Sequence, residues 1–410
     1  MSEAGGERRV APSMAFSLGV IAATAPFSLD AYLPALPAMA DEFGVSPQLI
    51  QLSLTACLLG LGIGQLVAGP IGDRFGRRNP MVIGAALYAV ASLGCAFVVS
   101  ADMLIALRLV QGLAGAVGIV LSRAVVQDLT EGRSAARTYS QMAAVSGAAP
   151  VVAPVVGAVI IAVAGWRVVF VLLAVLGLVM IAIVVMVVGE TRPRAMRTSL
   201  AFRPVMLSFA HLLKDGVFVR FALVVMLSAA VLFTYISSAP FVLQGAFGMS
   251  ELEFALVFAS VGAGLVLASQ INARLLLRFD PRRLLAGAAV IQIAGILALC
   301  AVIAGRIAFG WSSVPLLVVC LVWAVVPCGA ITPTCVSLAM ARSGARAGSA
   351  SALLGVSMFL VGAAVSPISG AGDPAFTMAV MMLAASCGVS ALALARRRGD
   401  PRGRRHTPGV

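Results

Sequence analysis

Apolar residues fill long stretches of this chain, and the charged residues gather in short clusters between them. Each stretch approaches the roughly 20 residues that carry an α-helix across about 30 Å of hydrocarbon. The pattern therefore predicts twelve membrane-spanning helices, at 13–37, 48–71, 80–99, 103–124, 138–163, 167–189, 217–243, 252–276, 284–304, 313–340, 348–370 and 374–395. Tight turns divide the pairs 138–163/167–189 and 348–370/374–395. The fold class that follows is all-α and integral to a membrane.

Composition agrees. Hydrophobic residues make up 61% of the 410 positions and charged residues only 11%, where a soluble domain carries roughly 25% charged residues. A water-soluble globule of this length has no way to hide so much apolar surface, whereas a bilayer covers it. The net charge of +13 would suit a nucleic-acid binder, but its placement argues against one. With the N-terminus inside, Arg74, Arg77, Arg78, Arg133, Arg137, the arginines of 192–203, Arg278, Arg282, Arg283, Arg342 and the tail arginines from Arg396 to Arg405 all fall on one side. Arg167 and Arg306 are the only basic residues in the opposite loops, which instead carry Asp41, Glu42, Asp102, Glu251, Glu253 and Asp373. This is the positive-inside arrangement, with both termini cytoplasmic.

Arg8 and Arg9 precede an apolar run in which Ala23-Thr24-Ala25 imitates a signal-peptide cleavage site. Pro26 follows directly and hinders cleavage, so the run reads as an uncleaved first span. All seven cysteines lie inside predicted spans, and the two histidines, His211 and His406, lie in a loop and a tail. No disulfide framework or metal-ligand spacing emerges, so no cofactor or metal is expected.

An internal repeat organises the chain. Arg74-Phe75-Gly76-Arg77-Arg78 closes the second span and Arg278-Phe279-Asp280-Pro281-Arg282-Arg283 closes the eighth, each followed by a Gly-Ala-Ala run, at Gly84 and Gly287. The expected organisation is a cytoplasmic tail (1–12), a six-helix half (13–189), a cytoplasmic linker (190–216), a second six-helix half (217–395) and a basic tail (396–410). Two such halves suit a transporter that rocks about a midplane site. Within the linker, Phe202, Val205, Met206, Phe209, Leu212 and Leu213 recur at helical spacing, which fits a helix lying on the membrane surface or a plain connector.

Two ionisable residues lie deep in spans: Asp30 in the first and Arg108 in the fourth. A charge at the bilayer centre costs about 2.5–3.5 kcal/mol on insertion scales, so a function is the default explanation. Counted from Pro37 and from the loop at Ser100–Asp102, both sit at similar depth and can pair. The pair is either a structural tie between helices or a proton site in which Asp30 alternates between charged and neutral forms. Tyr32, Gln65, Gln111, Tyr235, Asn272 and Trp323 are polar or amphipathic groups within spans; they are candidate substrate contacts or ordinary helix–helix contacts. A membrane enzyme would need a His cluster, a nucleotide loop or paired carboxylates, and an ATP-driven pump a nucleotide domain.

The motifs resemble one family. Gly69-Pro70-Ile71-Gly72-Asp73-Arg74-Phe75-Gly76-Arg77-Arg78 resembles the loop signature of the major facilitator superfamily. Arg108-Leu109-Val110-Gln111-Gly112 resembles the fourth-span motif of drug:proton antiporters, and 147–157, with Gly147, Pro150, Pro154 and Gly157, their fifth-span antiporter motif. Asp30-Ala31-Tyr32-Leu33-Pro34-Ala35-Leu36-Pro37 and Phe233–Val242 are similar to the first and seventh spans of the Bcr/CflA subfamily. In the second half Asp280-Pro281 departs from the loop pattern. The resemblance implies a twelve-helix major facilitator fold in a bacterial inner membrane. It implies proton-coupled export of small amphipathic drugs such as bicyclomycin- or chloramphenicol-class compounds, or of an endogenous metabolite, by a monomer. It further implies that Gly69, Gly72, Asp73, Arg74, Gly76, Arg77 and Arg78 form a gate that latches the two halves on the cytoplasmic side; from the residues themselves, the glycines let helices approach and Asp73 can accept from a neighbouring helix N-terminus.

Overall fold

The computed structural model describes residues 11–197, 202–310 and 313–395. Arg8, Arg9, linker positions 198–201 and the basic tail 396–410 with His406 lie outside the described residues. Among those described, twelve helices are long and apolar enough to cross a membrane. They are α1 (Pro12–Phe43), α2 (Pro47–Phe75), α3 (Arg78–Ala96), α4 (Ala101–Leu129), α5 (Gly132–Ala164) and α6 (Trp166–Val188), then α7 (Gly216–Ala246), α8 (Glu251–Leu275), α9 (Pro281–Phe309), α10 (Val314–Met340), α11 (Ala347–Ser369) and α12 (Pro374–Leu394). Several run a turn or more past the apolar stretches that predict them, as α4 does beyond 124, because hydropathy marks the hydrocarbon and not the end of the helix.

The first span corrects the reading that Pro37 closes it. Its regular helix stops at Asp30, passes through a 3-10 turn at Leu33–Ala35, and resumes over Leu36–Phe43. Pro34 and Pro37 sit at the starts of these segments, where a missing N–H costs nothing. The prolines restart the helix rather than end it.

Several helix starts are defined by side-chain caps. Ser46 accepts from the Leu49 N–H, Ser100 from Met103, and Asp373 from Phe376. Ser250 and Glu253 form a reciprocal capping box. Asp215 caps α7 through the N–H groups of Val217 and Phe218 and meets Arg342 at 3.2 Å. Those bonds, the Val217 N–H foremost, hold its carboxyl below the usual carboxylate range. Asp280 caps α9, with Pro281 at the first helical position. The departure of the second loop from the first is thus the start of a helix, built from a cap where the first half has Gly76 at φ 90°.

The two halves repeat one packing scheme. In the first half α1 packs on α5, α2 on α4 and α3 on α6; in the second α7 packs on α11, α8 on α10 and α9 on α12. Across the halves, α2 meets α11 and α5 meets α8. The linker helix Phe202–Leu212 rests on α11, burying Phe209 and Leu212 and exposing Met206 and Leu207.

At the end of the bundle that carries Pro34 (the Pro34 end), polar groups pin the halves together. Gln51 Nε2 donates to the Ser237 carbonyl at 2.9 Å, and Gln244 Nε2 to the Pro34 carbonyl at 3.0 Å. The Ser369 hydroxyl lies 2.7 Å from that of Ser237 and 3.4 Å from Gln51 Oε1. At the opposite, Arg77 end, the ion pairs of the loop 73–77 lie, among the described residues, within its own half and the start of the linker.

Candidate functional site

The break in α1 leaves Asp30 as the last residue of its first helical segment, 5% exposed. It makes no hydrogen bond or ion pair among the described residues. The expectation that it pairs with Arg108 is not met, and helix geometry gives the reason. Arg108 Nη1 reaches the Ser28 carbonyl at 3.1 Å, and the same face of α1 brings Ala25 against Gly115 of α4. Two residues along a helix are turned about 200°, so Asp30 looks away from α4 and toward the second half. There Tyr235 lies within electrostatic reach of it. The Tyr235 ring stacks on Phe258 at 5.3 Å, and its hydroxyl has no hydrogen-bond partner.

Arg108 is fully buried in the first half and has no counter-ion among the described residues. Its guanidinium sits 4.3 Å above the Tyr32 ring and 6.0 Å from that of Phe170; the ring faces supply part of the negative potential that a carboxylate would. Nη1 also bonds Gln111 Oε1, whose amide donates to Ser92, while Nε and Nη2 stay unpaired. The second half carries a neutral counterpart. Gln292 of α9 donates to Cys328 of α10 at 3.0 Å, and the Cys328 thiol faces the Ser228 carbonyl of α7. The same three helices of each half meet at a polar knot, but only the first knot is charged.

The candidate substrate contacts separate. Tyr32 bonds Ser53 at 3.2 Å beneath Arg108, and Gln111 belongs to the same cluster, so both are internal to the first half. Asn272 donates to Thr334 at 2.9 Å between α8 and α10, a satisfied helix contact. Trp323 is 51% exposed in an outward groove with Ile291, Val319 and Val322 on α9 and α10, so it does not line the seam; the apolar run around it, Val314–Val325, gives no sign of which side is inside. Gln65 does lie on the seam, its Oε1 against Gly355 of α11. Tyr235 and Gln65 therefore remain beside the seam. The polar pins Gln51, Ser237, Gln244 and Ser369 escape a sequence reading, since they sit near span ends or among ordinary serines.

At the Arg77 end, Arg77 is buried at 4% exposure. It bridges Asp73 and Asp128, each at 2.9 Å. Asp73 also meets Arg192 at 3.2 Å. Glu190 accepts from the Arg77 and Arg192 N–H groups, and Thr191 donates to Asp128. Asp73 thus bonds the side chains of Arg77 and Arg192, within its own half and the start of the linker, and not the expected N–H groups of a neighbouring helix N-terminus. Gly72 is tight against Leu121, but nothing lies within 4 Å of a Cβ at Gly69, so close approach is not its role here. Arg74 is exposed over the Phe75 ring, and Arg78 donates to the Val185 carbonyl. The Asp128 and Glu190 partners are 51 and 113 residues from Arg77, a distance no local motif spans.

The 147–157 stretch lies within one continuous α5 that includes Pro150 and Pro154. A Cβ at Gly157 would strike the carbonyl oxygen of Ala31, next to Asp30. On the other side the Pro150 carbonyl lies 3.2 Å from where a Cβ would stand at Gly262 of α8. Gly147 is looser, its nearest neighbour being Val266 at 3.9 Å. This one helix therefore touches both the Asp30 backbone and the opposite half.

Two repeated six-helix halves, a buried unpaired carboxylate on the seam and a charged cluster at one end are the architecture of a membrane transporter. The chain belongs to the major facilitator superfamily, whose model matches residues 18–367. It is 35% identical over 372 residues, 90% of each chain, to the uncharacterized MFS-type transporter YdgK of Bacillus subtilis (strain 168). It is 33% identical to a chloramphenicol resistance protein of Pseudomonas aeruginosa, over 70% of this chain and 69% of that one. Its fold matches a crystal structure of a D-xylose–proton symporter with a TM-score of 0.70, at 17% identity, covering 92% and 96% of the two chains. The chain is a multi-pass membrane transporter of this superfamily.

Proposed function

We propose that this chain is a proton-coupled antiporter, acting as a monomer, that exports small amphipathic drugs from the bacterial cytoplasm across the inner membrane. The observation that carries this reading is Asp30, a buried carboxylate with no partner among the described residues, placed where the two halves meet. A group in that position is uncovered to one side and then the other as the halves rock. It takes a proton from outside, and substrate arriving from inside favours its release. Tyr235 stands ready to donate to the ionised form. The kinship with a chloramphenicol resistance protein supports a compound of that class as cargo, and a largely apolar seam with few polar anchors suits loose recognition.

In this reading the Arg77 end faces the cytoplasm and the structure is the state closed to the outside. Reporter fusions after residue 204 and at residue 410 are expected to be active only as cytoplasmic reporters; a periplasmic signal from either reverses the map. The 69–78 loop acts as the cytoplasmic gate. Asp73 is held by Arg77 and Arg192 in the structure, and in this reading it bonds across the halves when that end closes. Asp73→Asn weakens the closed state, so normal membrane abundance with strongly reduced transport is expected. Wild-type rates from the variant reduce the loop to a topology signal.

The function is tested by a drug-susceptibility panel in a bacterial host stripped of its own exporters. Expression is expected to raise the inhibitory concentration of chloramphenicol- or bicyclomycin-class compounds several-fold. An unchanged profile across the panel removes drugs as the cargo.

A further inference from the structure

A groove outside the transport seam has the shape and charge of a lipid site. α2 and α3 touch each other little, because both pack on α4 instead. The gap between them is an apolar groove of about 590 Å³. Small residues, Ala68, Gly84 and Ala114, make its floor, and Val67, Ile83 and Leu87 its walls. Ile83 and Leu87 are 67% and 44% exposed, so the groove opens sideways, toward hydrocarbon. Along α2 it runs from Gly64 to Phe75. At 1.5 Å per residue that is about 16 Å, close to half of the roughly 30 Å hydrocarbon thickness, the depth of one leaflet.

Its polar end is basic. Arg197 lines it, and Arg74 stands over Phe75, another lining residue, at 5.2 Å. Arg197 shares its charge with Glu190 at 3.4 Å, whereas Arg74 is exposed and makes no ion pair among the described residues. One chain-length of apolar groove with Arg197 in its lining and the exposed Arg74 over Phe75 fits an amphiphile with an anionic head.

We infer that this groove binds one anionic phospholipid of the leaflet at the Arg77 end, an acyl chain lying between α2 and α3 and the phosphate resting between Arg74 and Arg197. Two basic groups at a headgroup surface, one of them shared with Glu190, favour an anionic over a zwitterionic lipid by roughly ten- to thirtyfold.

Native mass spectrometry of the delipidated full-length protein, titrated with dioleoyl phosphatidylglycerol or dioleoyl phosphatidylcholine, tests this. The wild type is expected to retain one phosphatidylglycerol in preference to phosphatidylcholine. Arg74→Gln with Arg197→Gln should erase the preference. Val67→Trp, which fills the groove, should lose that lipid altogether, and Ile83→Trp from the facing helix checks the same point should the first variant fold poorly. Equal retention of the two lipids by the wild type overturns the proposal. So does full retention of phosphatidylglycerol by a correctly folded groove-filling variant, which would place the lipid elsewhere on the surface.

Discussion

Asp30→Asn is expected to abolish uphill transport while leaving the protein inserted and able to exchange substrate. Asparagine keeps the shape of the side chain and removes its titration. Nothing else in the described structure depends on the charge, since Asp30 makes no hydrogen bond or ion pair there, so folding should be little affected. An unpaired carboxylate in a low-dielectric seam is costly, and its retention is explained if ionisation is part of the cycle. With asparagine in place, counterflow of labelled substrate in the absence of a gradient should persist and concentrative transport should fall to background. For a cationic substrate, binding should weaken as well; for a neutral one, binding should survive and lose its pH dependence. A variant that still concentrates substrate on a proton gradient alone removes Asp30 as the coupling group.

Gly157→Ala is expected to be severe and Gly147→Ala mild, although both glycines belong to one motif. A Cβ at 157 runs into the carbonyl oxygen of Ala31. That atom is backbone and has no rotamer by which to yield, so α1 or α5 must move at the residue beside Asp30. Overpacking of this kind costs about 1–3 kcal/mol or more. A Cβ at 147 meets only Val266, at an ordinary 3.9 Å. Thermal unfolding in detergent should show a clear loss for the first variant and little for the second, with transport following the same order. Equal stability of the two would mean that the α1–α5 contact is looser than this packing implies.

The number of spans and the class of the protein were legible in the sequence because the bilayer imposes one length and one polarity on every helix. Asp30 and Arg108 stood out for the same reason, as charges where charge is expensive. Their relation did not, because the sequence shows depth but not azimuth. The 200° between Ser28 and Asp30 decides that Arg108 grips the α1 backbone while the carboxylate turns to Tyr235. The break after Asp30 was equally hidden, since Pro34 and Pro37 suit a helix start as well as a helix end. Trp323 misled through amphipathic character alone. The Arg77 cluster was half legible: the loop supplies Asp73 and Arg77, but Asp128 and Glu190 come from remote helix ends that only the fold brings together.

The central claim is that a proton gradient drives substrate through this chain. Purified wild-type protein in liposomes of known orientation, given equal substrate on both sides and an imposed pH difference as the sole energy source, measures it directly. Chloramphenicol, as the probe, should accumulate above its equilibrium concentration in the direction opposite to proton flow, and a protonophore should collapse the accumulation. Uptake that only equilibrates, or accumulation untouched by the protonophore, would contradict proton-coupled antiport.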